Sequence, residues 1–292
     1  MSGPLYADDT PVSALNFAVI GDWGRQGRPD QMQVARQMGI ACKNAGASFV
    51  ISVGDNFYER GVTSLDDDHW QRSFEKVYDA PSLQVPWYVI LGNHDYAGKT
   101  GPQLEYAKTH PRWIMPARYY SHLYPIDAST NLECFYIDTC PFIGEYQHNP
   151  MFSDIPAQDA DRQLKWLDRS LAASKAEWKL VFGHHPIYSS GIAHGNQPEM
   201  IKLILPLLQK YKVQAYFAGH DHDLEHLKVG ELDLIVSGAG SEHRPVRAPV
   251  ASPFSQATSG FALASVLQKE MQVRFIDNLG NLLYTAKVPR VV

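Results

Sequence analysis

The sequence predicts an α/β fold in which two packed β-sheets are flanked by helices, and three observations predict it. The first part of the chain alternates strand and helix patterns in the order β-α-β-α-β, which requires helical crossovers between parallel strands. Its strands are apolar through their middles, as strands covered on both faces must be. From Leu224 onward the chain reads instead as short strands separated by turn signals, the mark of an antiparallel meander.

Taken in order, Leu15 to Ile20 is the first strand, an apolar run stopped by Gly21. A helix follows from about Pro29 to Ala45, with Pro29 near its first turn and Gly46 past its end, the favoured placement of both residue types. Met32, Ala35, Met38 and Ile40 supply its expected buried face. Ser48 to Val53 is the second strand, Asp67 to Tyr78 a second helix, and Val85 to Leu91 a third strand. Later come a strand near Leu132 to Asp138, a helix near Ala157 to Ala173, a strand at Trp178 to Phe182, a helix near Gln197 to Tyr211 and a strand at Gln214 to Ala218. Short strands at Glu225–Val229, Leu232–Ser237, Phe261–Val266, Met271–Ile276 and Leu282–Lys287 are expected to complete the second sheet. The segment Gly240 to Gly260, rich in Pro, Ser and Ala, reads as a loop. With no internal repeat and no dividing linker, residues 1–292 are expected to form a single domain.

The 292 residues are 45% hydrophobic and 20% charged with a formal net charge of −5. That balance excludes the basic footprint of a nucleic-acid partner. No apolar run reaches the roughly 20 residues of a membrane span, so no membrane partner is expected. Met1 to Thr10 carries neither a basic start nor an apolar core of a leader; either the protein is cytoplasmic or a leader has been removed. Three cysteines argue against a disulfide framework. Cys134 and Cys140, read as one strand, are too far apart to bridge.

Five glycine-containing segments each follow a strand. They are Gly21-Asp22-Trp23-Gly24, Gly54-Asp55-Asn56-Phe57-Tyr58, Gly92-Asn93-His94-Asp95, Gly183-His184-His185-Pro186 and Gly219-His220-Asp221-His222. In open α/β sheets the carboxyl ends of strands converge on one crevice. What would gather there is a set of oxygen and nitrogen donors without thiolate, suited to borderline and hard transition ions. The set is too large for one tetrahedral zinc. It suits two ions about 3.5–4 Å apart, an arrangement common in phosphatases.

In this order the segments resemble the calcineurin-like metallophosphoesterases, and specifically the small, mammalian-type purple acid phosphatases. The resemblance runs from Asp22 to His222 and more loosely beyond. It implies a four-layer αββα metallophosphoesterase sandwich. Many superfamily members place a histidine two residues after the first aspartate; here that position is Gly24. Tyr58 stands instead three residues after Asp55, where purple acid phosphatases carry a tyrosine ligand, and a phenolate favours Fe(III). The resemblance thus implies Fe(III) held by Asp22, Asp55, Tyr58 and His222. A second divalent ion (Fe, Zn or Mn) would be held by Asp55, Asn93, His184 and His220, with Asp55 bridging. His184 is preferred to His185 because the family's ligand directly follows the glycine. His94, expected to alternate with Asn93 along a strand, and His194, in the loop Ser190 to Gly195, match family histidines that contact phosphate or the leaving group. Asp95 reads as a support for nearby backbone or a ligand, and Asp66-Asp67-Asp68 as capping ahead of a helix.

The implied activity is hydrolysis of phosphate monoesters on a small phosphorylated substrate. Phosphodiester or nucleotide hydrolysis at the same site is the alternative, and a catalytically silent metal-binding protein is the alternative of another class. The resemblance also implies a secreted or periplasmic location.

Overall fold

Successive residues of the first strand, β1 (Leu15–Ile20), enter opposite apolar layers. Phe17 and Val19 enter the layer between two sheets, while Ala18 and Ile20 enter the layer beneath the first helix, as the period of a strand dictates. A computed structural model of the protein describes residues 14–247 and 252–291. The polar start Met1–Thr10 and residues 248–251 of the expected loop lie outside the described residues.

After β1 come α1 (Gln31–Ala45), β2 (Phe49–Ser52), β3 (Trp87–Val89), α2 (Asn93–Tyr96), α3 (Gly101–Tyr106), β4 (Trp113–Ile114), β5 (Tyr120–Pro125) and β6 (Asn131–Tyr136). Then follow α4 (Ala160–Ala173), β7 (Trp178–Phe182), α5 (Pro198–Leu203), α6 (Leu205–Lys210), β8 (Ala215–Ala218), β9 (Leu224–Val229) and β10 (Leu232–Ser237). The chain finishes with β11 (Phe254–Gln256), β12 (Gly260–Val266), β13 (Glu270–Asp277) and β14 (Leu282–Pro289). One 7-stranded sheet has the order β14-β13-β12-β1-β2-β3-β4, the other β11-β9-β10-β8-β7-β6-β5. β1 to β4 run parallel, as do β6, β7, β8 and β10. Between the sheets lies an aromatic-rich layer in which Phe17 stacks on Phe49 at 4.9 Å and Phe182 on Phe217 at 4.9 Å. Helix layers cover the two outer faces, giving the expected four-layer sandwich.

α1 ends as its sequence predicts, with Gly46 in the left-handed region (φ 62°) donating its N–H to the Cys42 and Lys43 carbonyls. Its buried face differs from the expected one. Val34, Ala35, Met38 and Cys42 face the sheet, whereas Met32 and Ile40 are 38% and 54% exposed. The segment Asp67–Tyr78 is π-helical over Trp70–Glu75. The expected helix Gln197–Tyr211 divides at Ile204, because Pro206 has no N–H for the Lys202 carbonyl. Cys140 lies in a 3-10 turn after the strand, and Cys42, Cys134 and Cys140 are all free and buried.

The largest departure concerns the C-terminal meander. β12 pairs antiparallel with β1, so β12–β14 extend the first sheet and not the second. The open edge of β1, opposite β2, is covered by this pairing. β4, β5 and β11 have no counterpart among the expected strands: β4 is two residues long, β5 lacks alternating burial and β11 lies within the expected loop. Among the described residues no helix is long and apolar enough to cross a membrane.

Trp23 anchors the first glycine segment to this frame. Its ring is fully buried against Phe57, Phe74, Tyr78, Trp87 and Trp113, and its Nε1–H donates to Ser52 Oγ at 2.8 Å. Trp23→Ala should lower the unfolding free energy by about 3–5 kcal/mol, read from urea denaturation at an unchanged m-value. A loss under about 1 kcal/mol would mean that the aromatic cluster closes over the cavity.

Candidate metal centre

The five glycine segments leave the ends of β1, β2, β3, β7 and β8, three from one sheet and two from the other. Cross-sheet hydrogen bonds hold those ends together: the Gly21 N–H donates to the Ser237 carbonyl at 2.8 Å and the Gly240 N–H to the Gly21 carbonyl at 3.0 Å. Asp22, Asp55 and His220 have φ of 59°, 51° and 70°. Non-glycine residues held there cost on the order of 1–3 kcal/mol each and persist where the surroundings over-determine them. The turn directs each side chain back over the strand ends.

Two groups of donor atoms result, and Asp55 belongs to both. On one side the Tyr58 hydroxyl lies 2.8 Å from Asp22 Oδ1, 2.8 Å from Asp55 Oδ2 and 3.0 Å from His222 Nε2. On the other, His184 Nε2 lies 3.1 Å from Asn93 Oδ1, 3.2 Å from His220 Nδ1 and 3.4 Å from Asp55 Oδ1. The His184 ring is oriented by its Nδ1–H, which donates to the Val53 carbonyl at 2.9 Å and leaves the Nε2 lone pair facing the cluster. Asp22 Oδ2 accepts the His220 N–H at 2.9 Å, and Asp55 Oδ1 accepts the His94 N–H at 2.8 Å.

Two glycines make this approach possible. A Cβ on Gly92 would fall 2.2 Å from Asp55 Oδ1. A Cβ on Gly24 would fall 1.8 Å from the Asn56 carbonyl oxygen, so no side chain can stand where many superfamily members place a histidine.

Burial, and then the neighbouring Asp55 charge, push the Asp22 carboxyl up to about 8, although His184 opposes them. Burial acts on Asp55 in the same direction, but the charges of His184 and His94 and the His94 N–H outweigh it. Tyr58 is held well above its ordinary value by burial and by both carboxylates. Burial also pushes His222 down to about 3 and His220 well below the usual imidazole range. A buried set of carboxylates, phenol and neutral imidazoles that resist charging one another is what a cation would resolve. Asp22, Asp55 and His184 each bring one ligand atom within 4.8 Å of the others.

His184, His185 and His220 also bring nitrogens within 4.8 Å of one another. Both His185 nitrogens, however, already have hydroxyl partners: Nδ1 lies 2.7 Å from Thr139 Oγ1 and Nε2 3.1 Å from Tyr146 OH. His184 is the histidine with an open lone pair. Asp95 supports backbone: it accepts from the N–H groups of Asn56 and Gly92 and from Gln103 Nε2. Asp67 accepts from His69 and Thr63. His226 pairs with buried Asp233 at 2.8 Å, away from the centre.

Residues 15–224 match the calcineurin-like phosphoesterase family. The chain is 38% identical over 289 residues to purple acid phosphatase 4 of Arabidopsis thaliana, covering 94% of this chain and 83% of that protein. It is 34% identical over 309 residues to tartrate-resistant acid phosphatase type 5 of Sus scrofa, covering 96% and 88%.

The chain belongs to the purple acid phosphatases.

It is therefore a metal-dependent phosphoric ester hydrolase, and its family implies a dinuclear metal centre. Its fold superposes with a TM-score of 0.85 on a solved structure entitled "GAP50 the anchor in the inner membrane complex of Plasmodium", at 26% identity, covering 96% of this chain and 90% of that one.

His94 and His194 sit differently from their sequence reading. His94 lies in the turn of α2 and not on a strand, so helix geometry, not alternation, separates it from Asn93. Its Nδ1–H donates to the Glu59 carbonyl at 2.7 Å, and its Nε2 lies 4.0 Å from Asp55 Oδ2. The His194 ring lies over the His220 ring at 4.0 Å. Three residues to which the sequence pattern gives no role lie at this purple acid phosphatase site. Arg25 lies 3.8 Å over the Tyr58 ring and pairs with Glu59 and Glu242. Arg244 donates from Nη1 to His194 Nε2 at 3.4 Å. Asp221 sits between two histidines of the fifth segment and accepts the N–H groups of His194 and Gly195 at 3.2 and 2.9 Å. Only its place inside a donor-rich segment could have drawn attention to it.

Asp221→Ala should strip the 189–195 loop of two backbone partners. Amide exchange of His194 and Gly195, followed by mass spectrometry, should quicken by about tenfold or more, the weight of two lost acceptor contacts. Unaltered exchange would mean that the loop is held by its other contacts alone.

Proposed function

We propose that the chain hydrolyses phosphate monoesters at a centre of one Fe(III) and one divalent ion (Fe, Zn or Mn). Asp22, Asp55, Tyr58 and His222 would hold the ferric ion. Asp55, Asn93, His184 and His220 would hold the divalent one. A single observation carries this reading: the two oxygens of Asp55 face different donor groups, Oδ2 toward Tyr58 and Oδ1 toward His184. A carboxylate so placed suits a bridging ligand, and a phenol beside it suits a trivalent ion.

When bound, such a pair of ions supplies Lewis-acid charge to phosphoryl oxygens and activates water. The chain's own residues divide the remaining work. His94 keeps Nδ1–H on the Glu59 carbonyl, so its Nε2 faces the centre and is placed to give a proton to the leaving oxygen. His194 accepts from Arg244, and burial lowers its affinity for a proton, with Arg244 adding to the effect against Asp221. It acts as a neutral contact for the phosphate. Arg25, clasped between Glu59 and Glu242, fixes the Tyr58 ring.

Protein reconstituted with Fe(III) and Zn(II) should be violet from tyrosinate-to-iron charge transfer, and Tyr58→Phe should lose that absorption band. A band that survives in Tyr58→Phe would remove Tyr58 from the ligand set. A second test uses pH. Asp22 keeps its proton until about pH 8 in the metal-free fold, against an ordinary value of 3.8. Its raised value withdraws stability from the metal-free protein as pH climbs through that interval. A ligating carboxylate must lose its proton, so apparent affinity for the ferric ion, supplied as a chelate whose own pH dependence is subtracted, should rise with pH and level off above about 8. Calorimetric titrations in two buffers of different ionisation enthalpy would reveal the released proton; flat affinity between about pH 5 and 8 would exclude Asp22 as a ligand.

A further inference from the structure

We propose that Arg244 is a specificity-determining residue on the leaving-group side of the centre, selecting substrates whose leaving group carries an anionic group of its own. The inference rests on phosphate ester hydrolysis at the site just described and names the substrate class that this mouth fits.

Arg244 is held in place by its backbone. Its N–H donates to the His222 carbonyl at 2.8 Å, directly behind a candidate ligand. The residues after it are laced to the His194 loop: the Ile192 N–H donates to the Pro245 carbonyl at 3.1 Å, Gly191 bridges Val246, and the Arg247 N–H donates to the Ser190 carbonyl at 2.9 Å. The guanidinium therefore projects from a short two-stranded clamp, with Nη1 3.4 Å from His194 Nε2 and the His194 ring 4.0 Å from His220. It lies one ring away from the donor cluster.

The two arginines at this mouth are not equivalent. Arg25 has Nη1 on Glu59 at 2.6 Å, Nη2 on Glu242 at 3.3 Å and its plane on Tyr58, and its side chain is only 13% exposed. It is committed. Arg244 meets Glu242 only at Nε, at 3.7 Å, and its side chain is 34% exposed. Among the described residues its Nη2 has no hydrogen-bond partner. A guanidinium fork with one free arm pairs in planar fashion with a carboxylate or a phosphate. With the scissile phosphoryl group over the donor cluster, a leaving group that runs out past His194 comes within reach of that free arm.

The test compares kcat/KM of the metal-loaded enzyme on phenyl phosphate, 4-carboxyphenyl phosphate and inorganic diphosphate, for the wild type, Arg244→Ala and Arg244→Lys. The ratio of either anionic substrate to phenyl phosphate should fall by about tenfold or more in Arg244→Ala, the weight of one charge-assisted hydrogen bond. The loss should appear chiefly in KM, and Arg244→Lys should recover part of it. A fall confined to diphosphate assigns a phosphate partner, and one confined to the carboxyphenyl ester assigns a carboxylate. Ratios that stay constant, whether or not all rates drop together, overturn the inference and leave Arg244 a structural clamp. A wild type that turns over none of the three overturns the monoester reading itself, and this inference with it.

Discussion

Two carboxylates and a phenol are buried together, with the Tyr58 hydroxyl 2.8 Å from an oxygen of each acid. Isolated ionised carboxylates are costly to bury, and Asp22 and Asp55 are fully enclosed. His220 and His222 do not relieve them, since burial presses both imidazoles toward the neutral form. The nearest guanidinium, Arg25, turns its N–H groups away to Glu59 and Glu242. The pocket is thus unfavourable to itself and favourable to a multivalent cation, which is the condition a metallohydrolase needs before any substrate arrives.

The architecture exists to hold that unfavourable arrangement together. Donors taken from one sheet would lie in a row along its edge; donors taken from β1, β2 and β3 on one side and β7 and β8 on the other can surround a point. The sheets are locked at that end by backbone hydrogen bonds from Gly21 and Gly240 and by Ser237 Oγ, which donates to the Val19 carbonyl at 2.9 Å. Behind the first segment the Trp23 cluster supplies apolar burial to offset the left-handed backbone of Asp22 and Asp55. Asp95 plays a parallel part, tying the segments that carry Asp55 and Asn93 through N–H groups of both.

How much of this was legible depended on whether a signal was local. The runs Leu15–Ile20 and Trp178–Phe182 announce themselves by composition, and both are strands over those same residues. The glycine segments announce the strand ends in the same way. What failed was whatever is decided at a distance. Which sheet receives β12–β14 follows from the free edge of β1, more than two hundred residues earlier, and nothing in the meander itself encodes it. The face of α1 was misread because Met32 and Ile40 are apolar but lie outside the Val34–Met38–Cys42 stripe. At the site, the order of the five segments pointed to the donor side chains, whereas Arg25 and Arg244 carry no pattern, and the hold of Asp221 on the 189–195 loop becomes visible only when loops meet in space.

The two histidines proposed to meet the substrate show how neighbours divide labour between like residues. His94 and His194 are the same imidazole at the rim of one cluster, yet each spends a different nitrogen on the protein. His94 gives its Nδ1–H to a backbone carbonyl and turns Nε2 to the centre, 4.0 Å from an oxygen of the Asp55 carboxylate. His194 spends Nε2 itself, accepting from Arg244, and burial, with that cation adding to it against Asp221, makes protonation costlier. A mouth built this way needs only one proton donor, because beside His194 the Arg244 guanidinium supplies positive charge of its own. The asymmetry also assigns the loops their purpose. The segments 189–195 and 244–247 do not touch the candidate bridging carboxylate; they are cross-linked to one another and to the His222 carbonyl, so that a change in either one alters what the leaving group meets while the donor set at the strand ends stays as it was.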